Sequence, residues 1–303
     1  MDDIQKKIRT RLREKNAVLL VHNYQRPEIQ DIGDLVGDSL ELSIKASQTD
    51  ADVIVFCGVH FMAETASIVC PDKKVILPVF SAGCPMADMI TASQLKRKRE
   101  ELPEAVVISY VNTTAEVKAE SDICCTSANV VRVAESVEPT VPILMTPDRN
   151  LALYTQKRTN RRIHYWDGYC PVHELLTAEQ VERVKAAHPD ALFVAHPECR
   201  PEVLELADEV KSTSGMIAFA AGSDRDRFII GTETGILHPL SKAAPEKTFI
   251  PADRRMVCPN MKKTTLENVL EALEILEPEV KVPEQIRLKA REAVDRMLAI
   301  PSG

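Results

Sequence analysis

Short apolar runs recur along the chain, and each ends in a small polar cluster. Residues 17–21 end at His22-Asn23-Tyr24, residues 52–56 at Gly58, and residues 74–77 run on to Ser81-Ala82-Gly83-Cys84-Pro85. Further along, residues 105–109 lead into Tyr110-Val111-Asn112, residues 141–145 form another run, and residues 162–166 lead into Asp167-Gly168-Tyr169-Cys170-Pro171. Residues 191–195 lead into His196-Pro197-Glu198, residues 228–230 into Gly231-Thr232-Glu233-Thr234-Gly235, and residues 249–250 precede the loop to Cys258-Pro259. Runs of this length with turn signals behind them predict buried parallel strands. The stretches between predict helices over 6–13, 27–36 and 201–210. Thr91-Ala92-Ser93-Gln94 and Thr177-Ala178-Glu179-Gln180 read as capping boxes that start two more. Leu266, Val269, Leu270 and Leu273 share one helical face, as do Ile286, Ala290, Ala293, Val294, Met297 and Leu298 at the end of the chain. Strands alternating with helices imply βαβ units, right-handed crossovers and ligands beyond the carboxyl ends of the strands.

The clusters are periodic. Cys84-Pro85, Cys170-Pro171 and Cys258-Pro259 stand 86 and 88 residues apart, and a Thr follows each Cys by seven residues (Thr91, Thr177, Thr265). His22, Tyr110 and His196 occupy one strand-end position upstream. Two residues beyond them lie Tyr24, Asn112 and Glu198, and seventeen beyond lie Ser39, Ser127 and Thr213. A fixed period of this kind decides the fold class. The chain is α/β, with three homologous α/β/α domains and parallel sheets placed with pseudo-threefold symmetry around a centre. The boundaries fall at 1–86 (Cys84), 87–172 (Cys170) and 173–303 (Cys258). The third unit includes the C-terminal helices, the last packing back on the first unit.

Composition narrows the function. The 303 residues are 45% hydrophobic with a net charge of −7, ample for a large core and poor for nucleic-acid binding. Lys96-Arg97-Lys98-Arg99 is followed by Glu100-Glu101 and reads as a solvated helix face. No apolar run approaches a bilayer span and the N-terminus lacks a secretory core, so a cytoplasmic setting is expected. In that reducing setting the eight Cys point to metals or catalysis before disulfides.

Three Cys from three units suit a soft metal centre. Zinc sites favour paired Cys-x₂-Cys ligands, which are absent here, whereas three thiolates suit a [4Fe-4S] cluster with one open iron. An open iron is a Lewis acid that assists loss of water. Helix-start N–H groups beside each Cys favour its thiolate. Cys57, Cys70, Cys124, Cys125 and Cys199 fall outside the period and read as small buried hydrophobes. Ser39, Ser127 and Thr213 suit carboxylates or a phosphate, and Tyr24 and Glu198 suit proton transfer. His60, Asp148 and Thr234 share a third offset, and these three, with Glu64 and Arg149, form a second tier.

These pieces resemble the quinolinate synthase A family of de novo NAD biosynthesis. The resemblance is carried by His22-Asn23-Tyr24-Gln25, Gly58-Val59-His60-Phe61-Met62-Ala63-Glu64, Gly83-Cys84-Pro85-Met86-Ala87, Tyr110-Val111-Asn112-Thr113, Asp167-Gly168-Tyr169-Cys170-Pro171-Val172-His173, His196-Pro197-Glu198-Cys199, Gly231-Thr232-Glu233-Thr234-Gly235 and Met256-Val257-Cys258-Pro259-Asn260-Met261-Lys262. It runs essentially end to end. It implies condensation of iminoaspartate with dihydroxyacetone phosphate to quinolinate, with loss of phosphate and two waters. It implies a [4Fe-4S] cluster on Cys84, Cys170 and Cys258. Substrate would be bound by His22, Ser39, Tyr110, Asn112, Ser127, His196 and Thr213, with acid/base work on Tyr24 and Glu198. An iminoaspartate-producing aspartate oxidase or dehydrogenase is the implied functional partner, with neither nucleic acid nor membrane involved. A Cys-rich C-terminal segment found in some members is not expected here. The rival readings are a reductive three-Cys enzyme, one that cleaves S-adenosylmethionine, and an iron–sulfur sensor.

Overall fold

The computed structural model describes residues 3–302. Its strands form three sheets of four. The first holds β1 (Ala17–His22), β2 (Leu35–Gly37), β3 (Val53–Cys57) and β4 (Lys74–Ile76) in the order β2-β1-β3-β4. The second holds β5 (Val106–Tyr110), β6 (Ile123–Cys125), β7 (Ile143–Thr146) and β8 (Ile163–Tyr165) in the order β6-β5-β7-β8. The third holds β9 (Leu192–Ala195), β10 (Glu209–Val210), β11 (Arg227–Gly231) and β12 (Thr248–Pro251) in the order β10-β9-β11-β12. All pairings within the sheets are parallel. The sequence repeat is therefore a repeat of one topology, an α/β/α unit used three times.

The second strand of each unit departs from the expected pattern. Residues 27–36 and 201–210 do not form single helices. Each is a single turn (Pro27–Gln30, Pro201–Leu204) followed by a short strand. Strands β2, β6 and β10 have three, three and two residues, too few for a periodic signal. An aspartate sets each of them. The carboxylates of Asp34, Asp122 and Asp208 accept the N–H of Leu19, Val107 and Phe193 at 2.8, 2.7 and 2.7 Å. Their own N–H groups donate to the carbonyls of the same three residues. A helix continued through these positions would lose both bonds.

The capping boxes form as expected, and the third in-register Thr makes one too. Thr91, Thr177 and Thr265 accept from the N–H of Gln94, Gln180 and Asn268, which return the bond. Each starts a ten-residue helix. Strands at the sheet centres are rich in Val and Ile and buried on both faces; all five residues of β3 are buried.

Two late helices close the molecule. Leu266–Ile275 places Leu266, Val269 and Leu273 with Ile8 and Leu12 of the Asp3–Glu14 helix, against one face of the first sheet. Glu284–Leu298 packs on helices His60–Val69 and Ala115–Ala119 and on β6, so it clasps the first two units together. Among the described residues no helix is long and apolar enough to cross a membrane.

Candidate active site

The carboxyl ends of the strands meet. All twelve residues singled out by the repeat and the resemblance line a single central cavity: Tyr24 and Glu198, the seven proposed substrate contacts and the three in-register Cys. First strands deliver His22, Tyr110 and His196. Second strands lead to Ser39, Ser127 and Thr213, and fourth strands lead to the Cys loops. Ser39 and Thr213 are the first residues of helices Ser39–Gln48 and Thr213–Gly222, so two helix N-termini face the site. Asp38 caps the first through the Leu40 and Glu41 N–H groups, and Ser212 caps the second through Gly215; the first-turn N–H groups left over and the positive dipole ends suit an anion. The two termini are tied together, since Asn23 Nδ2 donates to Thr213 Oγ1 at 2.9 Å and Ser214 Oγ donates to Glu41.

His22 and His196 share a local design. The N–H of the residue two further on donates to Nδ1, from Tyr24 at 3.1 Å and from Glu198 at 3.4 Å. An accepting Nδ1 leaves the proton on Nε2, so both rings are neutral donors. Burial pushes both pKa values down to about 3, aided at His22 by the Lys262 charge and opposed at both by Glu198. Asn112 Oδ1 is buried without a hydrogen-bond partner among the described residues, an acceptor left over for a ligand donor.

Glu198 is the central anion. Burial pushes its pKa up, but the imidazoles of His173 and His196 beside it and the Tyr110 hydroxyl outweigh this and hold it below the ordinary carboxylate range. His173 Nδ1 lies 2.6 Å from Glu198 Oε2, close but off the ideal hydrogen-bond line. The other ring nitrogen of His173 is 2.7 Å from Thr232 Oγ1, and Thr232 Oγ1 is 2.5 Å from the Tyr24 hydroxyl. Glu198, His173, Thr232 and Tyr24 thus form one continuous chain of proton-carrying groups. Burial and the Glu198 charge raise the pKa values of Tyr24 and Tyr110, which keeps both phenols protonated.

The three thiols are free and half-buried, and each follows the fourth strand of its unit. Burial pushes Cys84 up to about 12 and raises Cys170 and Cys258 as well. The expected N–H groups are present and act in the opposite direction: Ala87 and Met86 on Cys84, His173 on Cys170, Met261 and Asn260 on Cys258. They do not outweigh burial, so these thiolates require a bound cation. Soft donors from three loops around one cavity, each already met by backbone N–H, fit an iron–sulfur group. Cys170 Sγ, His173 and Glu198 also lie within 4.8 Å of one another as a group able to hold a metal, although both His173 nitrogens already face partners.

The remaining Cys are buried. Of the second tier, His60 and Glu64 line a separate outer cleft that reaches Cys84, and Arg149 pairs with Asp167 and Glu174. Asp148 is buried close to Cys170, and Thr234 starts a short 3₁₀ turn. His173, Thr232 and Lys262 escaped the repeat because their chemistry is not repeated, and Glu233 because its counterpart Asp148 stands one residue out of the shared offset. Ala87 and Met261 occupy the place of His173 in the other two units.

The profile described as "Quinolinate synthetase A protein" matches residues 6–299. The chain is 56% identical over 300 residues to the quinolinate synthase of Geotalea uraniireducens, covering 99% of this chain and 98% of that one. Quinolinate synthases of Desulforudis audaxviator and Methanosarcina barkeri are 55% and 54% identical, covering 99% and 95% of this chain and 99% and 94% of theirs. The cavity with its three thiols, the threefold topology and this end-to-end similarity agree: the chain belongs to the quinolinate synthetase A family, enzymes of NAD biosynthesis.

Proposed function

We propose that this chain condenses iminoaspartate with dihydroxyacetone phosphate to give quinolinate, phosphate and two waters. The observation that carries the reading is the single cavity lined by an acid/base pair, seven polar contacts and three thiols from all three units. Both substrates are anions, and the cavity offers neutral donors to hold them. These are the Nε2–H of His22 and His196, the hydroxyls of Ser39, Ser127, Thr213 and Tyr110, and the two helix N-termini. Glu198 is the base for the enolising C–H of dihydroxyacetone phosphate. Tyr24 delivers and retrieves protons as the carbon–carbon bond forms and the imine closes the ring. His173 and Thr232 let these two groups exchange a proton without solvent.

Cys84, Cys170 and Cys258 are the residues that would hold a [4Fe-4S] cluster. With three protein ligands it would supply a Lewis-acidic iron for the final loss of water. The division at 86 and 172, the cytoplasmic setting and supply of iminoaspartate by an aspartate oxidase or dehydrogenase belong to the same reading. The cluster assignment is tested by anaerobic reconstitution with iron and sulfide analysis. Wild type should bind about four iron and four sulfide per chain. Replacing Cys84, Cys170 or Cys258 singly by Ala should remove most of both, whereas Cys57→Ala should not. Full loading of all three variants would refute the ligand set.

A further inference from the structure

Two carboxylates behind the Cys loops have no part in the scheme above. They occupy one structural position, two residues past the end of the third strand and in front of the helix or turn that follows; one extra residue in the second unit is why the sequence offset pairs Asp148 with His60 and Thr234 instead. That position is Val59 in the first unit, Asp148 in the second and Glu233 in the third. Asp148 is 2% exposed and Glu233 is fully buried. Burying a carboxylate is costly unless it is matched by donors, so each has a reason to be there.

Each carboxylate caps its own following turn and also meets the adjoining Cys loop. Glu233 Oε1 accepts the Cys258 N–H at 3.0 Å, and Oε2 accepts the Gly235 N–H at 2.7 Å. Lys262, four residues beyond Cys258, sits 3.0 Å from Glu233 Oε1 and also donates to the Tyr24 carbonyl. The space is closed to any larger residue at 235, where a Cβ would lie 2.6 Å from Lys262 Nζ and 2.7 Å from Glu233 Oε2. In the second unit the Asp148 carboxylate accepts the Leu151 N–H at 2.8 Å and faces the Cys170 N–H, and the backbone at Asp148 bridges to Gly168. One Asp148 oxygen keeps no closed hydrogen bond among the described residues.

The first unit lacks this arrangement. Val59 has no side-chain acceptor to offer, so the first unit keeps only the backbone bond common to all three, His60 N–H to the Ala82 carbonyl at 2.8 Å, matched by Arg149 to Gly168 and Thr234 to Met256. The nearby buried Glu64 is turned to the Ala115 N–H. No carboxylate accepts the Cys84 N–H among the described residues. Gly83 faces open space, and Cys84 also borders the outer cleft with His60, Phe80 and Asp88.

We propose that Asp148 and Glu233 are positioning residues that lock the Cys170 and Cys258 loops, leaving Cys84 as the ligand that lets go first when the centre is dismantled. This rests on the reading that the three Cys hold an iron–sulfur centre. Partners of this kind typically contribute 10- to 100-fold in metal affinity, in the general order of magnitude for groups behind a ligand shell.

The test uses the anaerobically reconstituted protein, a ferrous-iron chelator, and aliquots quenched with iodoacetamide for peptide mapping. In wild type, Cys84 should be alkylated ahead of Cys170 and Cys258. Glu233→Gln should speed iron release by about tenfold or more and bring Cys258 to the front. Asp148→Asn should do the same for Cys170. Labelling of Cys170 or Cys258 first in wild type overturns the proposal. So does wild-type release rate and order in both variants. If Glu233→Gln does not fold, the wild-type order and Asp148→Asn still decide. A wild type that takes up no iron and sulfide overturns the cluster reading itself, a result distinct from a loaded protein with the wrong order.

Discussion

Glu198 is ionised while the two phenols beside it stay neutral. Its pKa is held down by His173 and His196, whereas burial keeps Tyr24 and Tyr110 protonated. Removing that charge without changing shape isolates its contribution. Glu198→Gln should lower kcat by about 10²- to 10⁴-fold with iron content unchanged, the usual worth of a positioned general base. Unchanged kcat removes the assignment. The neutral histidines give a second prediction, on stability. In the unfolded chain His22 and His196 titrate near 6.5, and in the folded chain burial holds them at about 3. Between these values the unfolded chain binds protons that the folded chain refuses. Their contribution is therefore complete above about pH 6.5 and falls as the pH drops, by up to about 1.4 kcal/mol per pH unit for each. Asp38, which burial raises to about 6, opposes this below that pH. Urea midpoints of the metal-free protein, compared with those of the His22→Gln/His196→Gln double variant, isolate the term. Wild type should lose the greater stability between about pH 7.5 and about 5.5, and parallel profiles would contradict the neutral assignment. At this scale the sequence was legible where chemistry repeats. His173 was not legible, because only its place beside Glu198 and Thr232 in three dimensions reveals it.

The elements follow rules that apply three times. Each of Thr91, Thr177 and Thr265 satisfies an otherwise unpaired helix N–H, and the helices are far apart in sequence and carry separate caps. Single Thr→Ala changes should each cost about 1 kcal/mol, and the triple variant about the sum. Strong non-additivity in urea unfolding would contradict independent caps. The aspartates that set the second strands should matter more. Asp122 accepts the Val107 N–H and also pairs with Arg99, so Asp122→Ala should cost about 1–3 kcal/mol. A change within experimental error would show that β6 holds without it. These strands were missed because two or three residues carry no periodicity. A signal was nevertheless present, since Asp34, Asp122 and Asp208 all stand twelve residues past His22, Tyr110 and His196. Apolar runs announce central strands, but edge strands this short are announced only by the side chain that pins them.

The whole molecule is three copies of a unit that individually carries a third of a site. No unit holds more than one in-register thiol, and the proton chain from Glu198 to Tyr24 crosses from the third unit through His173 and Thr232 to the first. Chemistry therefore depends on the units being held together, by the Glu284–Leu298 helix across the first two and by contacts such as Asn23 with Thr213 between the first and third. The period foretold the topology and the gathering of strand ends. The last helix was expected to return to the first unit; its reach to the second, and the return of Leu266–Ile275 to the first sheet, were not foretold, because they depend on which apolar face remains open after the sheets form. The central claim is that this shared cavity makes quinolinate without an electron donor. The direct measurement is anaerobic turnover of the reconstituted protein with freshly generated iminoaspartate and dihydroxyacetone phosphate, no reductant present. The account predicts quinolinate and free phosphate in equal amounts, and loss of both with Cys84→Ala. Intact iron and sulfide with no quinolinate formed would contradict it.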